Sequence, residues 1–148
     1  MMIASERCDP KDSLTRAGLN KTRQRLIVLE TLIQAERPLT VSAIVSAIDG
    51  GERINKVTVY RTVSILREHG IVREIPTVDD ICYYEMACDH NPAHAHFYCR
   101  NCKTLTCLEP LTLEETLGIF RRPHDFSVDQ VSVSITGLCG ACLGEGAT

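Results

Sequence analysis

Two pairs of cysteines with the same short spacing stand out in this sequence. Cys99 and Cys102 form one Cys-x-x-Cys motif, and Cys139 and Cys142 form a second near the end of the chain. Each motif places both thiols on one side of a tight turn, and two such turns that face each other supply four sulfur ligands at the corners of a tetrahedron. We therefore predict that these four cysteines hold a structural zinc ion.

A second group of metal-binding residue types precedes the first motif. His94 and His96 alternate along a predicted strand, so both side chains lie on the same side of it, and Cys88 comes shortly before them. Four thiolates already fill a tetrahedral site, so these residues indicate a second metal site with mixed ligands. Thiolate and imidazole together suit zinc. We expect two zinc ions per chain.

The composition limits the class of protein. A chain of 148 residues with 44% hydrophobic residues has room for one or two small folded domains. It has no apolar run near the ~18 residues of a membrane span and no apolar signal core at its start, so we expect a cytoplasmic protein without a membrane partner. There the cysteines should be thiols or metal ligands rather than disulfides, with Cys8 an incidental surface thiol.

Charge and metal-binding residue types are unevenly spread. The formal net charge is −3, but residues 1–75 carry more Lys and Arg than Asp and Glu, whereas residues 76–148 are strongly acidic. Most of the histidines and cysteines also lie in the second part. This division favours a first half that meets a polyanion and a second half that binds cations.

The apolar periodicity of the first half predicts helices followed by a hairpin. A short helix is expected around residues 10–17. Longer helices are expected from Arg23 to about Glu36, from a Thr40 cap to about Ile48, and from Lys56 to His69, with strands at Ile71–Ile75 and Ile81–Met86. Three helices and a hairpin indicate a winged helix-turn-helix domain over residues 1–86, whose third long helix reads DNA.

The second half, residues 87–148, predicts a small α+β domain that follows a hinge at about residues 73–88. Strands are expected at His94–Cys99, Thr104–Leu108 and Val128–Thr136, and a helix capped by Thr112 at Leu113–Arg122. A bound metal would help to stabilise so small a core.

Four blocks resemble the ferric-uptake-regulator (Fur) superfamily, in that family's order. They are G-L-N-K-T-R-Q-R-L-I-V-L (18–29), T-V-Y-R-T-V-S-I-L-R-E-H-G-I-V (58–72), H-A-H-F-Y-C-R-N-C (94–102) and G-L-C-G-A-C (137–142). The resemblance covers nearly the whole chain. It implies a homodimer, a winged-helix domain followed by a dimerisation domain, and a metal-dependent repressor that binds a palindromic operator.

Within the superfamily the sequence is most similar to the zinc uptake regulators (Zur). Their pattern of a hinge carboxylate, a cysteine and a His-x-His implies a regulatory zinc ion held by Glu74, Cys88, His94 and His96. Alternatives for the fourth ligand are Cys107, Glu85 and His90. An iron- or nickel-sensing relative remains the alternative function, although iron and peroxide sensors more often have a carboxylate in the position of Cys88.

The resemblance also implies which residues meet DNA. Tyr60 and Arg61 match the family's contacts in the reading helix, where a tyrosine ring can pack on a thymine methyl and an arginine can donate to guanine or phosphate. Lys56 and Thr58 are expected to contact the DNA backbone. Arg23, at the start of the first long helix, is expected to reach a phosphate or the minor groove.

Two other functional classes are compatible with zinc binding. A zinc hydrolase or deaminase needs an open coordination position and a general base. The deaminase pattern is missing, because Ala95 separates the histidines and Tyr98 precedes Cys99, so we expect no enzyme activity. A zinc-stabilised interaction module without a DNA role would show no operator binding even at low salt.

Overall fold

The computed structural model describes residues 8–48, 54–88, 91–92, 94–110, 112, 114–115, 118 and 132–145. The chain divides into two compact units, Met1–Pro92 and Ala93–Thr148. This division falls after Pro92, whereas the sequence predicts a domain boundary after Met86. None of the helices in the described residues is long and apolar enough to cross a membrane.

The described part of the first unit contains helices α1 (Pro10–Arg16), α2 (Arg23–Ala35), α3 (Val41–Ile48) and α4 (Lys56–Glu68). Each helix begins after a residue whose side-chain oxygen accepts a hydrogen bond from a backbone N–H of the first turn. These N–H groups have no partner within the helix. These capping residues are Asp9, Thr22, Thr40 and Asn55. These bounds confirm the predicted helix starts at Arg23 and Lys56 and the predicted Thr40 cap. The short helix predicted around residues 10–17 is confirmed as α1.

The core of the first unit is formed by the predicted apolar faces of the helices. Leu29 of α2, Ile44 of α3, and Val59, Val63 and Leu66 of α4 are fully buried. The three α4 residues are four and then three positions apart, which puts them on one face of the helix. Burial of each such side chain contributes about 1.5–3 kcal/mol. Helix α4 is thus held by this one face.

A hairpin completes the first unit. Strands β1 (Val72–Pro76) and β2 (Cys82–Met86) pair in antiparallel orientation. Leu39 adds a bridge to Tyr84, in which the N–H of each residue donates to the carbonyl of the other at 2.9 and 2.8 Å. Helices α2 to α4 followed by this hairpin form the predicted winged helix-turn-helix.

The second unit is built on a three-stranded sheet with β3 (His94–Cys99) in the centre. Strand β4 (Leu105–Pro110) pairs with β3 in antiparallel orientation, and β5 (Val133–Gly137) pairs with it in parallel orientation. Helix α5 (Gly140–Glu145) follows β5. The predicted strand Val128–Thr136 overlaps β5, and its residues before Ser132 lie outside the described ones. Helices followed by this β-rich unit confirm the α+β class.

A capping box lies at the start of the predicted helix Leu113–Arg122. The Thr112 N–H donates to the Glu115 carboxylate at 2.8 Å, and the Glu115 N–H donates to the Thr112 hydroxyl at 3.1 Å. This reciprocal pair is typical of a helix N-terminus and confirms Thr112 as the cap. Most other residues of that helix lie outside the described residues.

Replacing Val63 by Ala removes buried methyl groups from the core-facing side of α4 and leaves a cavity. We expect V63A to lower the free energy of unfolding by about 1.5–3 kcal/mol, measured by urea denaturation. The matched control V57A changes a valine of the same helix that is 58% exposed, and should cost less than about 0.5 kcal/mol. Equal losses for the two variants would contradict this orientation of α4.

Candidate metal centres and nucleic-acid interface

The parallel pairing of β3 and β5 brings the two Cys-x-x-Cys motifs together. Cys99, the last residue of β3, lies opposite Gly137 at the end of β5. The Arg100 N–H extends the pairing by donating to the Gly137 carbonyl at 2.9 Å. Because both strands run in the same direction, both motifs leave the sheet at the same end.

The four cysteine side chains form one cluster. The Sγ atoms of Cys99, Cys102, Cys139 and Cys142 all lie within 4.8 Å of one another, and those of Cys102 and Cys139 are 3.8 Å apart. Zinc–sulfur distances of about 2.3 Å space the corners of a tetrahedron roughly 3.8 Å apart. The sulfur positions therefore fit a four-thiolate zinc site.

Hydrogen-bond donors around the cluster favour the thiolate form. The backbone N–H groups of Cys102 and Cys139 lower the pKa of Cys99 to about 6, and the Cys139 N–H lies 3.4 Å from the Cys99 sulfur. Hydrogen bonds with Thr104 also lower the pKa of Cys102. The thiolate is the form of cysteine that binds metal.

The pKa of Cys142 is shifted in the opposite direction. The Asn101 side-chain N–H donates to the Cys142 sulfur at 3.3 Å and lowers the pKa of that thiol. This effect is outweighed by hydrogen bonding with the Cys139 thiol, by burial, and by the thiols of Cys99 and Cys102. Together they raise the pKa of Cys142 to about 11. Several thiolates this close repel one another unless a positive charge lies among them. A divalent metal ion bound by the four sulfurs would supply that charge.

A second group of possible ligands lies on the same sheet. His94 and His96 are 9% and 6% exposed, and their ring centroids are 4.4 Å apart. Cys107 of β4 lies opposite His96 in the antiparallel ladder, so both side chains are on one face of the sheet. The ligand atoms of these three residues lie within 4.8 Å of one another. Two imidazoles and a thiolate can hold a zinc ion.

Glu74, a predicted regulatory ligand, has other partners in the first unit. Its carboxylate forms an ion pair with Arg67. Burial raises the pKa of Glu74, but hydrogen bonds from Arg67 and Cys82 together lower it more, and the net shift is downward. Burial and then the Glu74 carboxylate raise the pKa of the Cys82 thiol to about 11. The role of Glu74 as a zinc ligand stays a prediction.

Cys88, also a predicted ligand, forms a disulfide with Cys8. Cys8 is only 7% exposed, so the predictions of an incidental surface thiol and of a chain without disulfides are wrong for this pair. The two residues are 80 positions apart in the sequence, and only folding of the first unit brings them together. Ligation by Cys88 stays a prediction, and it requires that the disulfide be reduced, because the thiolate is the ligand form.

The alternative fourth ligands differ in their surroundings. Glu85 of β2 is buried and forms an ion pair with Arg73, with 3.5 Å between Oε1 and Nε. His90 lies outside the described residues. Cys107 is the alternative that joins the two histidines on the sheet of the second unit.

The predicted DNA-contacting residues lie on the outside of the first unit. Lys56, Tyr60 and Arg61 are exposed on α4, with Tyr60 59% exposed, and Thr58 is half-buried beside them. Arg23 is exposed at the start of α2. A helix that is anchored by one apolar face and presents basic and aromatic side chains on the other has the geometry of a major-groove reader.

A winged helix-turn-helix unit followed by a β-rich unit with clustered metal-binding side chains defines a metal-responsive DNA-binding regulator. A model of the ferric uptake regulator family matches residues 16–136, and the chain belongs to this family. Regulators of this family are DNA-binding dimeric transcription factors rather than enzymes.

Individual relatives agree with the family assignment. The ferric uptake regulation protein of Campylobacter jejuni is 29% identical over 135 residues, which cover 89% of this chain and 85% of the relative. The peroxide-responsive repressor PerR of Staphylococcus saprophyticus is 28% identical over 135 residues, 90% of this chain and 89% of the relative. The crystal structure of the Vibrio cholerae ferric uptake regulator superimposes with a TM-score of 0.72 at 26% identity, covering 88% of this chain and all of that one.

Sequence reasoning missed the Cys8–Cys88 pair and gave Cys107 only as an alternative ligand. A signal for Cys107 was present. In an antiparallel pair, residues at equal distances from the connecting turn lie opposite each other. The predicted strands end at Cys99 and begin again at Thr104, and His96 and Cys107 are each three residues from these positions. No such local signal exists for Cys8.

Replacing Cys102 by Ser removes one ligand of the four-thiolate cluster. We expect C102S to lose one tightly held zinc ion per chain and to melt at a lower temperature, because binding energy at a structural site is also folding energy. Metal analysis after gel filtration and calorimetry measure the two effects. The control C82S alters a cysteine outside the cluster; identical zinc content in both variants would show that the cluster holds no zinc.

Proposed function

We propose that this chain is a zinc-responsive repressor of metal-uptake genes that binds a palindromic operator as a homodimer. Family membership already makes it a metal-responsive transcription regulator. The proposal adds the metal, its ligands and the direction of the response. The observation that carries it is the donor set formed by His94, His96 and Cys107.

The chemistry of these donors supports zinc. A thiolate with two imidazoles matches the tetrahedral preference of zinc, whereas Fe(II) and Mn(II) sites more often contain oxygen ligands. We assign His94, His96 and Cys107 as regulatory ligands. They leave one tetrahedral position for a further ligand, for which the candidates from the sequence stay Glu74, reduced Cys88, Glu85 and His90.

The second part of the proposal concerns how the regulatory ligands control DNA binding. A bound ligand shifts a conformational equilibrium only by its different affinity for the two states. We infer that the three regulatory ligands are better arranged in the conformer that binds DNA. Zinc and operator then tighten each other's binding by the same factor. The four-thiolate cluster has a different role, because a closed structural site stabilises its unit in both conformers.

The reading helix gives the proposal its DNA-binding residues. In a two-fold symmetric dimer, two copies of α4 would meet successive major grooves, and the operator would share that symmetry. Tyr60 and Arg61 would contact bases, while Lys56, Thr58 and Arg23 would contact the backbone and fix the position of the helix. The exposure of Arg23, Lys56, Tyr60 and Arg61 on α2 and α4 supports these roles, and Thr58 is half-buried beside them.

An iron-responsive repressor is the alternative, and the name of the Campylobacter jejuni relative, a ferric uptake regulation protein, favours it. Cys107 is our reason for preferring a zinc-responsive over an iron-responsive repressor, because a thiolate ligand favours zinc, whereas a carboxylate in its place would favour a harder ion.

The metal preference is tested by binding of the reduced protein to an operator selected from random duplexes. We expect zinc to tighten operator binding. C107S should need a zinc concentration more than about 100-fold higher for the same response, because replacing even a residue that only supports a ligand typically costs 10–100-fold in metal affinity. Fluorescence anisotropy at buffered zinc concentrations measures the operator affinity, and anaerobic Fe(II) is the competing metal.

Two matched variants sharpen this test. C82S retains Cys107 and should respond to zinc like the unmodified chain. C107D replaces the sulfur with a carboxylate and should shift the preference toward Fe(II). A full response to Fe(II) but none to zinc in the unmodified protein would replace our proposal with the iron-responsive alternative.

The reading helix is tested separately. We expect R61A to weaken operator binding by about 1–3 kcal/mol, which is typical of losing a specific base contact. The control R16A removes an arginine of α1 that is paired with Asp12 and should leave affinity within about twofold, since surface pairs contribute little. Equal effects of the two variants on anisotropy titrations would argue against α4 as the reader.

A further inference from the structure

The Cys8–Cys88 disulfide joins two distant parts of the first unit. Cys8 directly precedes Asp9, the capping residue of α1, and Cys88 comes two residues after the end of β2. Both positions belong to the same compact unit. The bond therefore ties the first helix to the segment that leaves the wing toward the second unit.

Contacts other than the disulfide hold the two ends of this bond. On the first side, Asp9 accepts hydrogen bonds from the first turn of α1, and Leu14 of that helix is fully buried in the core. The cap and the core packing thus fix the start of α1.

On the second side, the Ala87 N–H donates to the Ile71 carbonyl at 2.9 Å, and the Asn91 N–H donates to the Cys88 carbonyl at 2.9 Å. The Asn91 side chain also donates to the Met86 carbonyl at 2.7 Å. These bonds hold the backbone on both sides of Cys88, so the fold itself keeps the two cysteines as neighbours when the bond is open.

We propose that Cys8 and Cys88 are a reversible redox site that exchanges with small-molecule thiols and disulfides and controls the regulator. Cys88 is half-buried, whereas Cys8 is only 7% exposed, so Cys88 is the sulfur that such molecules reach first. The regulatory part of this inference rests on the proposed zinc response.

The chemistry of the site is ordinary thiol–disulfide exchange. The Cys88 thiolate attacks one sulfur of glutathione disulfide, forming a mixed disulfide and releasing one glutathione. The Cys8 thiolate then attacks the Cys88 sulfur and releases the second glutathione. The two protein thiols lose two electrons and two protons, and both are recovered in two molecules of reduced glutathione. Excess reduced glutathione reverses both steps.

The oxidation state of Cys88 determines whether its sulfur can bind zinc. A sulfur in a disulfide is not a thiolate and cannot bind zinc, so oxidation removes Cys88 from the ligands that the sequence predicts. It also fixes α1 to the end of β2. The reduced form is therefore the zinc-responsive form, and the oxidised form binds operator less well at the same zinc concentration.

The redox site is tested on full-length, zinc-loaded protein equilibrated with glutathione at increasing ratios of oxidised to reduced form. After alkylation, mass spectrometry of peptides should find a linked Cys8–Cys88 pair that increases with oxidised glutathione and disappears with excess reduced glutathione. Absence of this linked pair at every ratio, or a pair that reduced glutathione never opens, would overturn the proposal.

Stability gives a second readout that is independent of DNA. A cross-link that closes a loop of this length restricts the unfolded chain, so the oxidised first unit should melt roughly 10 °C above the reduced one. C8S removes the bond and should show no difference between the two conditions, while C82S should behave like the unmodified chain. The same shift in C8S would assign the effect to other cysteines and refute the site.

Regulation is measured by zinc-dependent binding to the selected operator. Oxidation should weaken binding by about tenfold or more in the unmodified chain, within the usual range of coupling between sites. It should have no effect on C8S molecules that mass spectrometry shows to carry no glutathione on Cys88. No change on oxidation would refute the regulatory part. If the reduced protein shows no zinc dependence at all, the proposed function fails, and peptide mapping and melting still decide whether the redox site exists.

Discussion

Pairing of β3 with strands on both of its edges determines where the metal-binding side chains of the second unit lie. The parallel ladder with β5 brings Cys99 to the end of the sheet at which the second Cys-x-x-Cys motif begins. The antiparallel ladder with β4 places Cys107 opposite His96. His96 and Cys99 are three residues apart along one strand, roughly 10 Å. This distance keeps the two donor groups separate, so they can hold two ions with different roles.

The two donor groups differ in a way that matches those roles. The four-thiolate cluster has a full tetrahedral set within one unit, and a closed set of this kind contributes directly to folding. His94, His96 and Cys107 supply three ligands from the same unit. In the proposed function this set needs a further ligand, and that need would couple metal binding to a change in conformation.

The helices of the first unit share an apolar core that includes Leu29, Ile44 and Val63. This core leaves the outer face of α4 available for DNA. Seven of the eight cysteines of the chain fall into three groups. Four form the cluster of the two Cys-x-x-Cys motifs, Cys107 joins the histidines, and Cys8 and Cys88 form a disulfide within the first unit.

The sequence by itself determined the elements whose signals are local. Helix caps such as Asn55, the apolar stripe of α4 and the spacing of the Cys-x-x-Cys motifs each act within a few residues, so the winged helix and the four-thiolate cluster were predictable. Only the tertiary structure decided which distant side chains meet. The pairing of Glu74 with Arg67 and of Cys88 with Cys8 depends on how helices pack against the hairpin. The meeting of Cys107 with His96 follows from the register that the turn between β3 and β4 sets, whereas the packing that joins Cys8 to Cys88 is encoded in no short stretch of the chain.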